Sequence, residues 1–240
     1  MGMTMLDRIV LWADIAATAA DVLLLARVFQ LRLQRLYLFI TLACTLAVLF
    51  DFVQLWFGLN SDESQRLARY SRFLYAFLYP LVAWDVFEEM KEQVSQMRRV
   101  AAGRLISSIF FAAFFGFVVS LLMGGDQEKD LFSTTLAFVL WAGYSAATLA
   151  FLWSLQRVLK TQHMVRPHNT FVWMTYFQLV LLAELAGCFS SILGSLLNTT
   201  AQGVMNVCLL LYGLLITVWC AVRLKRIPSD VSTPANAGAS

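Results

Sequence analysis

Long apolar stretches recur along the chain and are separated by short polar segments. A helix rises ~1.5 Å per residue, so ~20 apolar residues cross the ~30 Å hydrocarbon core of a bilayer. Consecutive apolar residues, as at Leu24–Leu25 and Phe110–Phe111, break the alternation that membrane-spanning strands require. The pattern therefore predicts an all-α membrane protein, a bundle of seven transmembrane helices. The predicted spans cover residues 6–29, 36–57, 70–90, 104–123, 131–156, 170–197 and 203–224.

The composition agrees with this architecture. Of the 240 residues, 60% are hydrophobic and 14% are charged, whereas an ordinary soluble domain carries roughly 25% charged residues. One soluble core of this size cannot bury such an excess of apolar side chains. We expect residues 1–227 to form the transmembrane domain and residues 228–240, which are small, polar and interrupted by proline, to form a disordered cytoplasmic tail.

Lysine and arginine residues are divided unequally between the two sides of the predicted bundle. Most of the 18 fall in the loops after the first, third and fifth spans and in the segment after the last span. Because basic residues concentrate on the cytoplasmic side, we expect the N-terminus outside and the C-terminus in the cytoplasm. We expect a multi-pass protein of the plasma (inner) membrane. Its expected partner is the lipid bilayer, and we expect no binding to nucleic acid. The basic residues on the outer side are Arg8, Arg66, Arg69, Arg72 and Lys129.

Ionisable side chains inside the predicted spans are the candidate functional residues. A charged residue at mid-bilayer costs about 2.5–3.5 kcal/mol on insertion scales, so each needs a partner, water or a proton. Asp14 and Asp21 are two helical turns apart, with the small residues Ala17 and Thr18 between them on the same face. We therefore expect this face of the first span to point into the bundle.

Five further candidates complete a predicted ligand or ion pocket. Short loops favour adjacency of the first three spans, which permits an outer-half cluster of Asp14, Asp51 and Arg72. Glu184 falls near the middle of the sixth span, where Asn206 and Tyr212 of the seventh span could donate hydrogen bonds to it. An equally open alternative is that these side chains form a structural network of hydrogen bonds between helices. The candidates are Asp14, Asp21, Asp51, Arg72, Glu184, Asn206 and Tyr212.

The predicted plan of seven helices with an outside N-terminus is similar to that of microbial rhodopsins. A retinal protein needs a lysine in its seventh helix for the Schiff base, and the seventh span, "GVMNVCLLLYGLLITVWCAV", has none. Both histidines, His163 and His168, lie between the fifth and sixth spans, so bis-histidine haem ligation and a metal site are not expected. No nucleophile–base pair is visible. We expect neither a cofactor nor catalytic activity.

Three functions fit this pattern. The favoured one is a receptor- or sensor-like module with a polar intramembrane pocket that signals through a partner. The alternatives are a small proton- or cation-coupled transporter or channel, and a non-catalytic accessory subunit of a membrane complex. A protein partner could bind the phenylalanine-rich fourth span or a cytoplasmic extension of the third. On that extension an apolar edge at helical spacing is formed by Val86, Met90, Val94 and Met97.

Overall fold

The structure, a computed structural model, describes residues 5–57, 62–90, 129–161, 167–193 and 199–227, together with seven separate residues between 103 and 118. All regular structure in these residues is helical. A single 3-10 turn, Leu33–Arg35, lies between the first two helices. The six α-helices are α1 (Met5–Gln30), α2 (Leu38–Phe57), α3 (Asp62–Glu88), α4 (Lys129–Thr161), α5 (His168–Leu193) and α6 (Thr199–Arg223).

Five of these helices contain a stretch that is long and apolar enough to cross a membrane. These stretches are Arg8–Gln30, Leu38–Phe57, Phe138–Thr161, His168–Ser190 and Gly203–Arg223. α3 is not among them, because Arg72, Asp85 and several tyrosines interrupt its apolar part. The predicted all-α, multi-pass membrane protein is thus confirmed, and six predicted spans coincide with helices. The fourth predicted span lies largely outside the described residues, as does the predicted tail at 228–240.

The six described helices form a closed ring. Each helix packs against the next one along the chain, and α6 returns to pack against α1. α3 also contacts α5, across the interior of the ring. α3 packs directly on α4, so the ring closes among the described helices without the fourth predicted span. Side chains that point inward from several helices can therefore meet in one interior.

Large apolar side chains divide between that interior and the outer surface. Trp12 and Leu215 are each 70% exposed, and Trp56 is 87% exposed. These side chains suit the lipid and its interface with water. Inside the ring, Tyr37, Phe87 and Trp173 are completely buried and belong to one continuous core.

The start of α2 is held by a side chain from α3. Oδ2 of Asp85 accepts hydrogen bonds from the backbone N–H groups of Phe39, at 2.6 Å, and Ile40, at 3.0 Å. The first N–H groups of a helix have no partner within the helix, and a carboxylate at this position also complements the helix dipole. Asp85 therefore fixes the end of α3 against the beginning of α2.

A second cluster of polar contacts joins the same end of α3 to α5 and α6. The hydroxyl groups of Tyr37 and Thr170 both donate to Oε2 of Glu89, just after α3. The neighbouring residue of α5, Asn169, bonds to the backbone of Lys225, just after α6. We call Tyr37, Glu89, Thr170, Asn169 and Lys225 the Glu89 cluster, and the end of the bundle where it lies the Glu89 end.

The predicted docking edge on α3 is wrong for the two of its residues that the structure describes. Val86 and Met90 are both completely buried and belong to the core. The end of α3 packs inside the ring, so its apolar edge contacts this chain itself. Val94 and Met97 lie outside the described residues.

Candidate functional site

Two carboxyl groups of neighbouring helices meet inside the ring. The side chains of Asp21 on α1 and Asp51 on α2 are in hydrogen-bond contact. Asp14, two turns before Asp21, is close enough to act electrostatically on Asp51. We call Asp14, Asp21 and Asp51 the acid site. This contact places Asp21, on the predicted inward face of α1, against α2 inside the ring.

Hydroxyl groups from α1, α5 and α6 surround the acid site. Thr18, on the same helix face as Asp14, donates from Oγ1 to the Asp14 carbonyl oxygen at 3.0 Å and also hydrogen-bonds to the Asp51 side chain. Thr217 of α6 bonds to Asp21 and to Tyr176 of α5. Thr18, Tyr176 and Thr217 are all buried. Hydroxyl groups thus link the acid site to α5 and α6.

The acid site holds an excess of carboxyl groups. The hydrogen bonds and charges that act on Asp21 and Asp51 in the described part of the chain come from carboxyl and hydroxyl groups. Two ionised carboxylates in contact repel each other strongly in a medium of low polarity, so this contact favours a proton held between them. No group of three or more His, Cys, Asp or Glu side chains among the described residues is arranged to hold a metal ion.

A second polar group lies on the other side of the interior. The Tyr79 hydroxyl of α3 donates to Oε1 of Glu184 on α5 at 3.1 Å. The Arg72 guanidinium acts electrostatically on Glu184 and lies 5.2 Å from the centre of the Trp141 ring, in cation–π contact. Glu184 therefore has both a hydrogen-bond donor and a cation near its carboxyl group.

Tyr75 connects the two polar groups. Its ring stacks on that of Tyr79, with centroids 5.7 Å apart. The Tyr75 hydroxyl also lies within electrostatic range of Asp51, Asp21 and Glu184. Polar side chains thus extend across the interior from α1 and α2, through α3, to α5.

The structure places three candidate residues in surroundings other than those that the sequence suggested. Arg72 accompanies Glu184 and Trp141 rather than joining a cluster with Asp14 and Asp51. Asn206 and Tyr212 are exposed at the bundle surface, so the donor to Glu184 is Tyr79 of α3. The physical reason is that no described residue between positions 203 and 212 is buried, and the buried contacts of α6 begin at Ile216.

The sequence prediction did not include Tyr176 and Thr217. Neutral hydroxyl groups are common in transmembrane helices, where they also bond to their own backbone. Only the tertiary structure shows that these two reach each other and Asp21. The sequence signal was weak: Thr217 lies among apolar residues near the C-terminal end of the last predicted span.

An aromatic column separates the acid site from the Glu89 cluster. The rings of Tyr37 and Trp173 have centroids 6.1 Å apart, and those of Trp173 and Tyr176 are 5.9 Å apart, both edge to face. Trp173 is completely buried, and its indole N–H makes no hydrogen bond to the residues that the structure describes. The rings therefore pack between the two polar clusters. They form no continuous chain of hydrogen bonds among the described residues, because Trp173 interrupts it.

Comparison with protein families, with curated proteins and with solved structures finds no match to this chain.

Proposed function

We propose that the chain is a sensor- or receptor-like membrane module that binds a proton between Asp21 and Asp51. The observation that carries this proposal is the contact between two carboxyl groups of neighbouring helices inside the ring. The contact is stable only while a proton, or a cation in its place, offsets the repulsion. Loss of that proton would push α1 and α2 apart, so occupancy of the acid site is linked to helix packing.

A sensor role is supported by the way the interior is closed toward the Glu89 end. A transporter needs a path that opens in turn to each side of the membrane. Trp173 fills the space between Tyr37 and Tyr176, and its indole N–H cannot accept a proton. In this arrangement a change at the acid site can move the column, but a proton cannot pass along it.

The second candidate is a proton- or cation-coupled transporter. Glu184 favours it, because this second interior carboxyl group is reached from the acid site by way of Tyr75 and Tyr79. Protonatable groups joined by hydroxyl groups are the usual elements of a proton path in a membrane.

The third candidate is a non-catalytic accessory subunit that binds a larger complex through the fourth predicted span. Ile106, Phe110 and Phe114, which are described individually, are helical and 53%, 71% and 67% exposed. Their spacing of four places them on one helix face. The absence of catalytic activity stays a prediction.

Infrared difference spectroscopy tests the proposal on protein in nanodiscs, between high and low pH. We expect a protonated-carboxyl band in the wild type that is lost or shifted in Asp21→Asn and Asp51→Asn. The band should be unchanged in Glu63→Gln, which alters an exposed carboxyl group outside the interior. Asparagine preserves the side-chain shape and can still hydrogen-bond to the remaining carboxyl group. A spectrum that is identical in all four proteins would contradict a shared proton.

Proton flux separates the sensor from the transporter. For a sensor, liposomes that contain the protein should acidify no faster than empty liposomes under an imposed pH gradient. Flux that depends on the protein and is abolished in Glu184→Gln would replace the sensor proposal with the transporter. The same liposomes with Glu63→Gln provide the matched control.

A further inference from the structure

Two short basic segments at the Glu89 end are built alike. The first, residues 31–36, follows α1. Within it Leu33 is only 1% exposed, while Arg32 and Arg35 are exposed. Arg32 has φ 56°, in the left-handed region that side chains other than glycine rarely adopt. This conformation reverses the chain while Leu33 anchors the turn in the core, so both arginines are held at the surface.

The second basic segment, residues 223–227, begins at the last residue of α6. Leu224 is 1% exposed, and Ile227 packs against the core, whereas Arg223, Lys225 and Arg226 are exposed. Buried apolar anchors therefore alternate with exposed basic side chains, as in the first segment.

Side chains from the start of α5 hold the backbone of this second segment. Asn169 Nδ2 donates to the Lys225 carbonyl oxygen at 2.7 Å, and the Lys225 N–H donates to Asn169 Oδ1 at 2.9 Å. His168 Nε2 lies 2.8 Å from the Arg223 carbonyl oxygen. Asn169 is buried, so these bonds fix the segment against the start of α5.

The Glu89 cluster brings the two segments to the same end of neighbouring helices. Tyr37 follows the first segment and Asn169 binds the second, and Glu89 and Thr170 connect them. Two carboxylates at this end are already hydrogen-bonded within the fold: Asp85 accepts from the backbone at the start of α2, and Glu89 accepts from two hydroxyl groups.

Apolar side chains lie beside the basic segments on α1 and α6, which pack against each other. Phe29 is 50% exposed and Val222 is 73% exposed, each within a few residues of a basic segment. A ligand that fits this surface has an anionic head for the arginines and an apolar part for the helix faces. Free phosphate satisfies only the first requirement.

We propose that the two basic segments form a preorganised surface for the phosphate group of an anionic phospholipid. Arginine binds phosphate oxygens through a rigid, planar set of donors, and a basic residue near a membrane surface gains about 1 kcal/mol from anionic lipid. Because Leu33, Leu224 and Asn169 fix the backbone, little ordering is required when a lipid binds. This surface is independent of the acid site.

Titration of the detergent-solubilised protein with phosphatidylglycerol, followed by native mass spectrometry, tests the proposal. Arg32→Gln/Arg35→Gln and Arg223→Gln/Arg226→Gln should each bind phosphatidylglycerol more weakly, by roughly fivefold for every arginine removed. Arg8→Gln/Arg66→Gln removes the same charge from exposed positions elsewhere and should bind like the wild type. Equal weakening in all three double variants would overturn a localised surface, as would no weakening in any of them.

Two further measurements separate a built surface from diffuse charge and from a phosphate site. Asn169→Ala keeps every charge but releases the second segment, so it should weaken phosphatidylglycerol binding and leave the weak binding of phosphatidylcholine unchanged. Unchanged phosphatidylglycerol binding in Asn169→Ala would overturn preorganisation. Inorganic phosphate should not displace the lipid at equal concentration, and displacement would identify a phosphate site instead.

Discussion

Glu89 joins three separate parts of the chain through one carboxylate oxygen. Tyr37 before α2 and Thr170 in α5 both donate to it, and Glu89 itself follows α3. Asp21 and Asp51 show the opposite arrangement, because each carboxyl group has the other as a partner. A carboxylate that accepts two hydroxyl donors stabilises the fold outright, whereas a carboxyl pair stabilises it only when protonated. A carboxyl group thus has a structural role at Glu89 and a proposed sensing role at Asp21 and Asp51.

Replacement of Glu89 measures the structural use. Glu89→Ala leaves two hydroxyl groups without an acceptor, and hydrogen bonds to charged groups contribute about 1.5–3 kcal/mol each. We expect the free energy of unfolding to fall by about 3–6 kcal/mol in total, seen as a lower Tm of the protein in detergent. The Tm should fall by less in Glu89→Gln, which keeps an acceptor oxygen. Glu63→Ala should leave the Tm unchanged. Equal Tm values for Glu89→Ala and Glu63→Ala would contradict the structural role.

At the scale of the elements, α1 and α6 carry sharply divided faces. Near the end of α6, Cys220 and Ala221 are at most 1% exposed, whereas Val222 is 73% exposed. On α1, Leu24 and Val28 are buried and Leu23 is 51% exposed. In lipid the hydrophobic effect does little to join helices, so close packing of small buried residues is a main source of their association. The buried face of α6 therefore tolerates little added volume, and the outer face tolerates much.

Adjacent positions on α6 test this division. Ala221→Leu adds volume to a closely packed face and should cost about 1–3 kcal/mol. Val222→Leu adds volume on the lipid-facing side and should be neutral within about 0.5 kcal/mol. The stability of both variants in detergent, compared with that of the wild type, tests these two expected changes. A neutral Ala221→Leu would contradict the packing of α6 in the ring.

At the scale of the whole molecule, the closed ring brings separate parts of the chain together at the Glu89 end and in the interior. The Glu89 end carries the exposed basic segments after α1 and α6. Between the ends, polar side chains from α1, α2, α3, α5 and α6 share one interior. The orientation in the membrane, with the Glu89 end in the cytoplasm and the N-terminus outside, stays a prediction from the distribution of basic residues. So does the predicted location in the plasma membrane.

Labelling of introduced cysteines tests this orientation in intact cells. The native cysteines Cys44, Cys188 and Cys220 are buried. Cys208, which is exposed on α6, is replaced by serine to lower the background. Glu63→Cys should react with a membrane-impermeant thiol reagent, and Arg32→Cys should react only after permeabilisation. The reverse pattern would invert the predicted topology.

Some of the interior could be predicted from local sequence. The inward direction of the Asp14–Asp21 face follows from a spacing of two helical turns and from the cost of carboxylates in lipid, neither of which depends on a neighbouring helix. The partners of Arg72, Asn206 and Tyr212 could not be predicted in the same way. They depend on how far each helix is rotated about its axis and on where its buried part begins, which all six helices set together.

The sequence by itself determined that the chain crosses a membrane as several helices and approximately where the five described apolar helices begin and end. The reason is local: the length of an apolar run and the need to satisfy backbone hydrogen bonds in lipid admit no other structure. Only the tertiary structure decided that Asp21 meets Asp51, that Arg72 accompanies Glu184, and that Val86 and Met90 are core residues. These contacts join residues of different helices, and side-chain packing, which no single helix encodes, selects among the many possible pairings.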